Sequence, residues 1–142
     1  MTRYLVDVNL LIALADEEHI HYPIATNWLD AMSDEVWGAC AFSQAGFLRI
    51  MTNPKLGSYS VREATEVLIS LSRHPRYRFW PIADDWATLA APFLKRVFGH
   101  QQITDAYLLG LVVKGGGVLV TMDAAIKYLA GTEYSRNVLV LE

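Results

Sequence analysis

The chain has 142 residues, with 12 Lys+Arg against 15 Asp+Glu and a formal net charge of −3. That length suits one domain with a real core and no need of metal or disulfide staples. The apolar content, 53%, excludes a disordered chain and hints at apolar surface buried against another chain. A lone cysteine, Cys40, excludes a disulfide framework and suits a reducing compartment. No spanning run of apolar residues and no signal-peptide pattern is present, so a cytoplasmic protein without a membrane span is expected. The mild acidity argues against a nucleic-acid partner.

Short apolar runs alternate with longer helical patterns. Tyr4-Leu5-Val6 reads as a strand ending at Asp7. Leu10 to Ala15 is apolar all round, as in a buried helix, with Asn9 placed to cap it. Ile24, Ala25, Trp28, Leu29 and Met32 recur at helical spacing. Val36 to Cys40 reads as a second strand. Ser43 is placed to cap a helix carrying Phe47, Leu48, Ile50 and Met51, which must stop before Pro54.

Ser60 and Glu63 form a capping box for a helix with Ala64, Val67, Leu68 and Leu71 on one face. Arg78-Phe79-Trp80 reads as a third strand. Asp84 or Asp85 caps the next helix, which Pro92 kinks or breaks. A helix from Thr104 through Val113 is closed by Gly115-Gly116-Gly117. Val118-Leu119-Val120 is a fourth strand, a short helix with Ile126 and Leu129 follows, and Val138 to Leu141 is a fifth strand. Such alternation implies a layered α/β fold with a mostly parallel sheet.

Open α/β sheets bind ligands outside the carboxyl ends of their strands. Three aspartates fall there. Asp7 ends the first strand, Asp123 follows the fourth, and Asp105 lies in the first turn of the helix that feeds the fourth. Leu108, Leu109 and Val112 share a helix face with Asp105, so its carboxylate belongs to the buried side. A carboxylate there must be paired or bound to a metal, and no Lys, Arg or His stands near Asp7 or Asp105 in sequence. Each acid taken singly also reads as an ordinary helix cap or first-turn acid. Together they read as a cluster. Converging carboxylates without His or Cys suit a hard cation, Mg²⁺ or Mn²⁺, and the chemistry implied is hydrolysis of a phosphodiester.

At these residues the chain resembles a PIN-domain ribonuclease, most of all the VapC-type toxins of bacterial toxin–antitoxin pairs. Three segments carry the likeness: Leu5-Val6-Asp7-Val8-Asn9-Leu10-Leu11, then Phe47-Leu48-Arg49-Ile50-Met51-Thr52-Asn53-Pro54, then Thr104-Asp105-Ala106-Tyr107-Leu108-Leu109 with the run from Val118 to Asp123. The resemblance implies one PIN domain over residues 1–142. It implies an α/β/α sandwich with a mostly parallel five-stranded sheet in the order 3-2-1-4-5. It further implies Mg²⁺-dependent endoribonuclease activity through Asp7, Asp105 and Asp123, with Mn²⁺ able to substitute. The products would carry 5′-phosphate and 3′-hydroxyl ends. A homodimer and inhibition by a small antitoxin protein are also implied. The family usually places a Glu in the helix after the second strand, where this chain has Phe42-Ser43-Gln44-Ala45-Gly46. One carboxylate fewer argues for a single main Mg²⁺ site. It also leaves open a degenerate PIN domain that binds RNA or protein without cutting.

Several residues read two ways. Asn9 is either the helix cap or a partner that orients Asp7. Gln44 is a first-turn surface residue or a site residue, and Thr121 is a plain strand-end residue or a hydroxyl bonded to a carboxylate. Arg49 suits a structural salt bridge or an interface better than catalysis. Arg73, Arg76 and Arg78, among His74 and Tyr77, form a solvated loop or a patch for RNA phosphates. The four histidines lack metal-ligand spacing and read as surface or loop residues. A dehalogenase-like phosphatase would need an Asp where Asn9 stands.

Overall fold

The computed structural model describes residues 1–142. The chain runs β1 (Arg3–Val6), α1 (Val8–Ala15), α2 (Tyr22–Asp30), β2 (Val36–Gly38), α3 (Ala41–Met51), α4 (Val61–Ser72), α5 (Trp86–Ala90), α6 (Ile103–Gly115), β3 (Val118–Thr121), α7 (Ile126–Ala130) and β4 (Val138–Val140). The four strands are all parallel, in the order β2-β1-β3-β4.

Alternation along the strands divides the interior. Leu5 and Leu119 face a core built with α5, α6 and α7, while Val6 and Val120 face one built with α1 to α4. Helices therefore cover both faces, which gives the three-layer α/β/α sandwich.

The expected third strand is not a strand. Tyr77 and Trp80 pair with Trp37 and Cys40 through isolated parallel bridges only. The segment still lies outside β2, where the expected order put it. Pro81, which has no N–H to donate, follows Trp80 and stops the ladder. The sheet thus has four strands rather than five.

Two helix starts also differ from expectation. Asp7, not Asn9, caps α1: its Oδ1 accepts the Leu10 N–H at 2.9 Å. The chain turns directly out of β1, so the helix begins two residues before the apolar run suggests. Cys40, not Ser43, occupies the cap position of α3. Ser43 lies buried inside that helix, its Oγ 3.5 Å from Cys40 Sγ. The Ser60–Glu63 capping box forms as read, and α5 gives way at Ala91 to a 3₁₀ turn containing Pro92.

The helix α6 is buried nearly all round, from Ala106 to Val112. Its close packing depends on Gly110, where a Cβ would lie 2.0 Å from the Leu89 carbonyl oxygen of α5. Gly116 ends the helix in the left-handed conformation (φ 70°) that glycine adopts without strain.

Candidate active site

Asp7, Thr121 and Asp123 are tied together where β1 and β3 end. The Asp7 backbone N–H donates to the Val120 carbonyl at 3.3 Å, extending the sheet by one rung. Thr121 Oγ1 donates to Asp7 Oδ2 at 2.6 Å and accepts the Asp123 N–H at 3.0 Å. Both carboxylate oxygens of Asp7 are thus engaged, by Thr121 and by the first turn of α1, and its orientation is fixed. Asp123 Oδ1 in turn accepts the Ala125 N–H at 2.9 Å, which starts the turn into α7.

Asp105 enters from the first turn of α6, half-buried, and Asp7 is buried. Burial pushes the Asp105 carboxyl up to about 6, and the negative charges of Asp7 and then Asp123 push it the same way. Burial also raises Asp7, against hydrogen bonds from Thr121 and Leu10 that lower it; Asp123 adds a smaller upward push. Asp105 therefore senses the charges of both other acids, and Asp7 that of Asp123. Neither of the two ion pairs, Arg62–Glu66 and Lys114–Asp84, involves them.

A cleft of about 770 Å³ opens over Asp7 and Asp105. Its lining includes Asn9 and Thr104, the apolar Val8, Phe42 and Leu108, and one cation, Arg49. Asp123 faces an adjoining hollow on the other side of Asn9. No three His, Cys, Asp or Glu side chains are gathered closely enough to grip an ion directly. The donor set nevertheless fits a hard cation held partly through water. It is all carboxylate and amide or hydroxyl oxygen, it carries no neutralising partner, and Mg²⁺ keeps several waters while taking one or two carboxylates.

Asn9 neither caps α1 nor bonds Asp7; it is exposed and lines both hollows. Gln44 lines neither. Its Nε2 donates to Tyr77 Oη at 3.2 Å, which draws the side chain away from the acids. Arg73, Arg76 and Arg78 are not brought to the cleft either. Arg73 ends α4, Arg76 donates to the Glu35 carbonyl just before β2, and Arg78 donates to the carbonyls of Pro75 and Tyr77.

Arg49, read from the sequence as a salt-bridge or interface residue, forms no salt bridge and lines the cleft. It is exposed and unpaired on the cleft side of α3 rather than in a salt bridge. Phe42, Ala45, Gly46, Arg49 and Asn53 line the cleft at helical spacing, a pattern present in the sequence.

A parallel α/β/α sandwich with unpaired acids at the carboxyl ends of its central strands defines the class: a layered α/β domain with an acidic cluster at its strand ends. Residues 4–131 match the PIN domain, and the chain belongs to that family. It is 38% identical over 128 residues to ribonuclease VapC38 of Mycobacterium tuberculosis, covering 89% of each chain. Ribonuclease VapC44 of the same organism is 35% identical over 130 residues, covering 90% of this chain and 91% of the relative. Among solved structures, the fold is similar to that of VapBC2 from Rickettsia felis, bound to a DNA fragment from their promoter. There the TM-score is 0.72 at 11% identity, covering 99% of this chain and 100% of the other. VapC20 of Mycobacterium tuberculosis, a Sarcin-Ricin loop cleaving toxin, gives 0.62 at 14% identity over 80% and 84%. FitAcB from Neisseria gonorrhoeae gives 0.58 at 16% over 89% and 92%.

Proposed function

We propose that residues 1–142 form one PIN domain acting as an Mg²⁺-dependent endoribonuclease, the toxin of a toxin–antitoxin pair. The carrying observation is the meeting of three unneutralised acids, with Asp105 held at about 6 by burial and by the other two. The ribonuclease names of the VapC relatives point the same way.

In this reading Asp7, Asp105 and Asp123 would hold the ion, in part through its own waters, and would orient the attacking water. When bound, Mg²⁺, or Mn²⁺ in its place, lowers the pKa of a water and offsets charge on the phosphate oxygens. The chain's own residues supply the positioning. Thr121 and the Leu10 N–H hold Asp7 in one rotamer. Asp105 stays available because nothing cationic competes for it. Arg49, the cation of the cleft, receives a phosphate of the RNA, and Asn9 and Thr104 offer hydrogen bonds beside it. Hydrolysis leaves 5′-phosphate and 3′-hydroxyl ends.

The partners follow from the apolar surplus. Phe98 (87% exposed) and Tyr128 (82%) are large side chains without cover. A second copy of the chain and a small antitoxin are the proposed occupants of such surface, checked by mass in solution. No helix is long and apolar enough to cross a membrane.

The test is expression of the chain alone and with its neighbouring reading frame. Growth arrest that the neighbour relieves, and that Asp7→Ala abolishes, supports the reading. In vitro, RNA cleavage must stop with EDTA and return with Mg²⁺. The competing reading is a domain that binds RNA without cutting. It draws on Gln44, which stands in the region of the family's Glu and is committed to Tyr77. RNA binding without EDTA-sensitive turnover would favour it.

A further inference from the structure

Asn9 stands between two hollows. On one side is the cleft with Asp7 and Asp105. On the other is a second pocket of about 360 Å³, lined by Asn9, Ile12, His19, His21, Met122 and Asp123. Its size falls within the range of small-ligand sites. The reaction proposed above uses Asp123 and Asn9 and leaves the rest of this pocket without a role.

The two histidines come from the loop between α1 and α2. Their ring centroids are 5.6 Å apart, and the rings are tilted by 45°. They have different duties. The His21 backbone N–H donates to His19 Nδ1 at 3.0 Å, which fixes the His19 ring and shapes the loop. The His21 ring makes no hydrogen bond, yet it is only half-exposed and faces the pocket. Ile12 and Met122 supply apolar lining beside it.

The chemistry narrows the occupant. The histidines do not join Asp123 in a three-ligand metal centre. A phosphate is a poor match too, because the pocket contains Asp123 and no Lys or Arg. An imidazole face with aliphatic and thioether carbons beside it suits an unpaired nucleobase, which proteins hold by stacking on Phe, Tyr, Trp or His.

We propose that this pocket receives one base of the RNA strand, on the far side of the scissile phosphodiester from Arg49, stacked on His21. His19 is a positioning residue for the loop. The proposal rests on the ribonuclease reading and adds a second subsite to it. The strand crosses the acids from the main cleft, passes over Asn9 and places its next base against His21. That nucleotide must be unpaired, since a base stacked on protein has left its helix.

The test uses the full chain carrying Asp105→Asn, in Mg²⁺ buffer, so that binding is read without cutting. The probe is a fluorescein-labelled, random-sequence, single-stranded RNA of about a dozen nucleotides, followed by anisotropy. Adding His21→Ala is expected to weaken binding at least roughly fivefold, the lower end for one base–aromatic stack. His21→Phe, which keeps a ring and loses both nitrogens, is expected to restore it to within about twofold, because stacking needs only the π-face. Unchanged binding by His21→Ala overturns the proposal. So does a His21→Phe chain as weak as the alanine variant, since that result assigns the effect to an imidazole N–H. If the Asp105→Asn chain itself leaves the anisotropy unchanged, the ribonuclease reading fails, and the subsite with it.

Discussion

Replacing Asp105 with Asn is expected to make the metal-free protein more stable while removing its activity. In the folded chain the Asp105 carboxyl is held at about 6 instead of 3.8, first by burial, then by the charges of Asp7 and Asp123. At 1.36 kcal/mol per pKa unit the difference corresponds to at most about 3 kcal/mol. Asp105 is only half-buried, and solvent screening reduces this to roughly 1–2 kcal/mol. The sign follows from proton counting. The folded chain holds the Asp105 proton more tightly than the unfolded one, so this contribution is fully favourable below about pH 4, declines as pH rises and is lost above about pH 6. Asparagine never ionises and escapes that loss. In EDTA at pH 8 the Asp105→Asn chain should melt about 3–7 °C above the parent, as expected for a chain of this size. Near pH 4.5 most of the gap should close. Adding Mg²⁺ should raise the parent's midpoint more than the variant's, because the ion binds the folded site. RNA cleavage by the variant should be undetectable. A variant that melts below the parent at pH 8, or a gap of equal size at both pH values, would refute the account of Asp105 as an acid held against its neighbours' charge.

Three further outcomes are expected. Thr121→Val removes the hydroxyl that donates to buried Asp7 at 2.6 Å and should cost about 1–3 kcal/mol in urea unfolding; a loss below that range would mean the bond is replaced by water. Gly110→Ala puts a Cβ 2.0 Å from the Leu89 carbonyl, so α5 or α6 must shift, with a cost of about 1–3 kcal/mol and slower RNA cleavage through displaced Asp105; unchanged melting and rate would contradict that packing. Ser60→Ala breaks a capping box on α4 that does not reach the cleft, and should cost about 1 kcal/mol with no change in cleavage rate.

Periodicity and punctuation predicted most of the fold because local pattern and tertiary need agree in it. The buried run Leu10 to Leu14, the capping box at Ser60 and the glycine stop at Gly116 are decided within a few residues of themselves. The half-burial of Asp105 was legible for the same reason: its apolar neighbours at helical spacing mark the inward face. Features set by distant partners were not legible. Gln44 is aimed by Tyr77, 33 residues away; for Thr121 a bond to a carboxylate was one of two sequence readings, and only the fold selects it, with Asp7 as the partner across 114 residues. His21 becomes a pocket residue only because Met122 and Asp123, far along the chain, lie beside it. The third strand failed by a narrower margin: its hydrogen bonds to β2 form, but it is too short before Pro81 to continue as a ladder.

That abortive strand has a consequence for how copies of the chain meet. The outward groups of β2 are satisfied by the segment 76–80: Trp37 N–H donates to the Arg76 carbonyl at 3.0 Å, Arg78 N–H to the Trp37 carbonyl at 2.7 Å, and Trp80 N–H to the Ala39 carbonyl at 3.0 Å. The sheet margin offered to another molecule is therefore this segment rather than β2. It is bracketed by Pro75 and Pro81 and carries the cations Arg76 and Arg78. Prolines and charges at a margin discourage strand-to-strand growth between molecules. The basic run that first suggested contact with RNA is thus also a margin of the kind that discourages indiscriminate sheet extension.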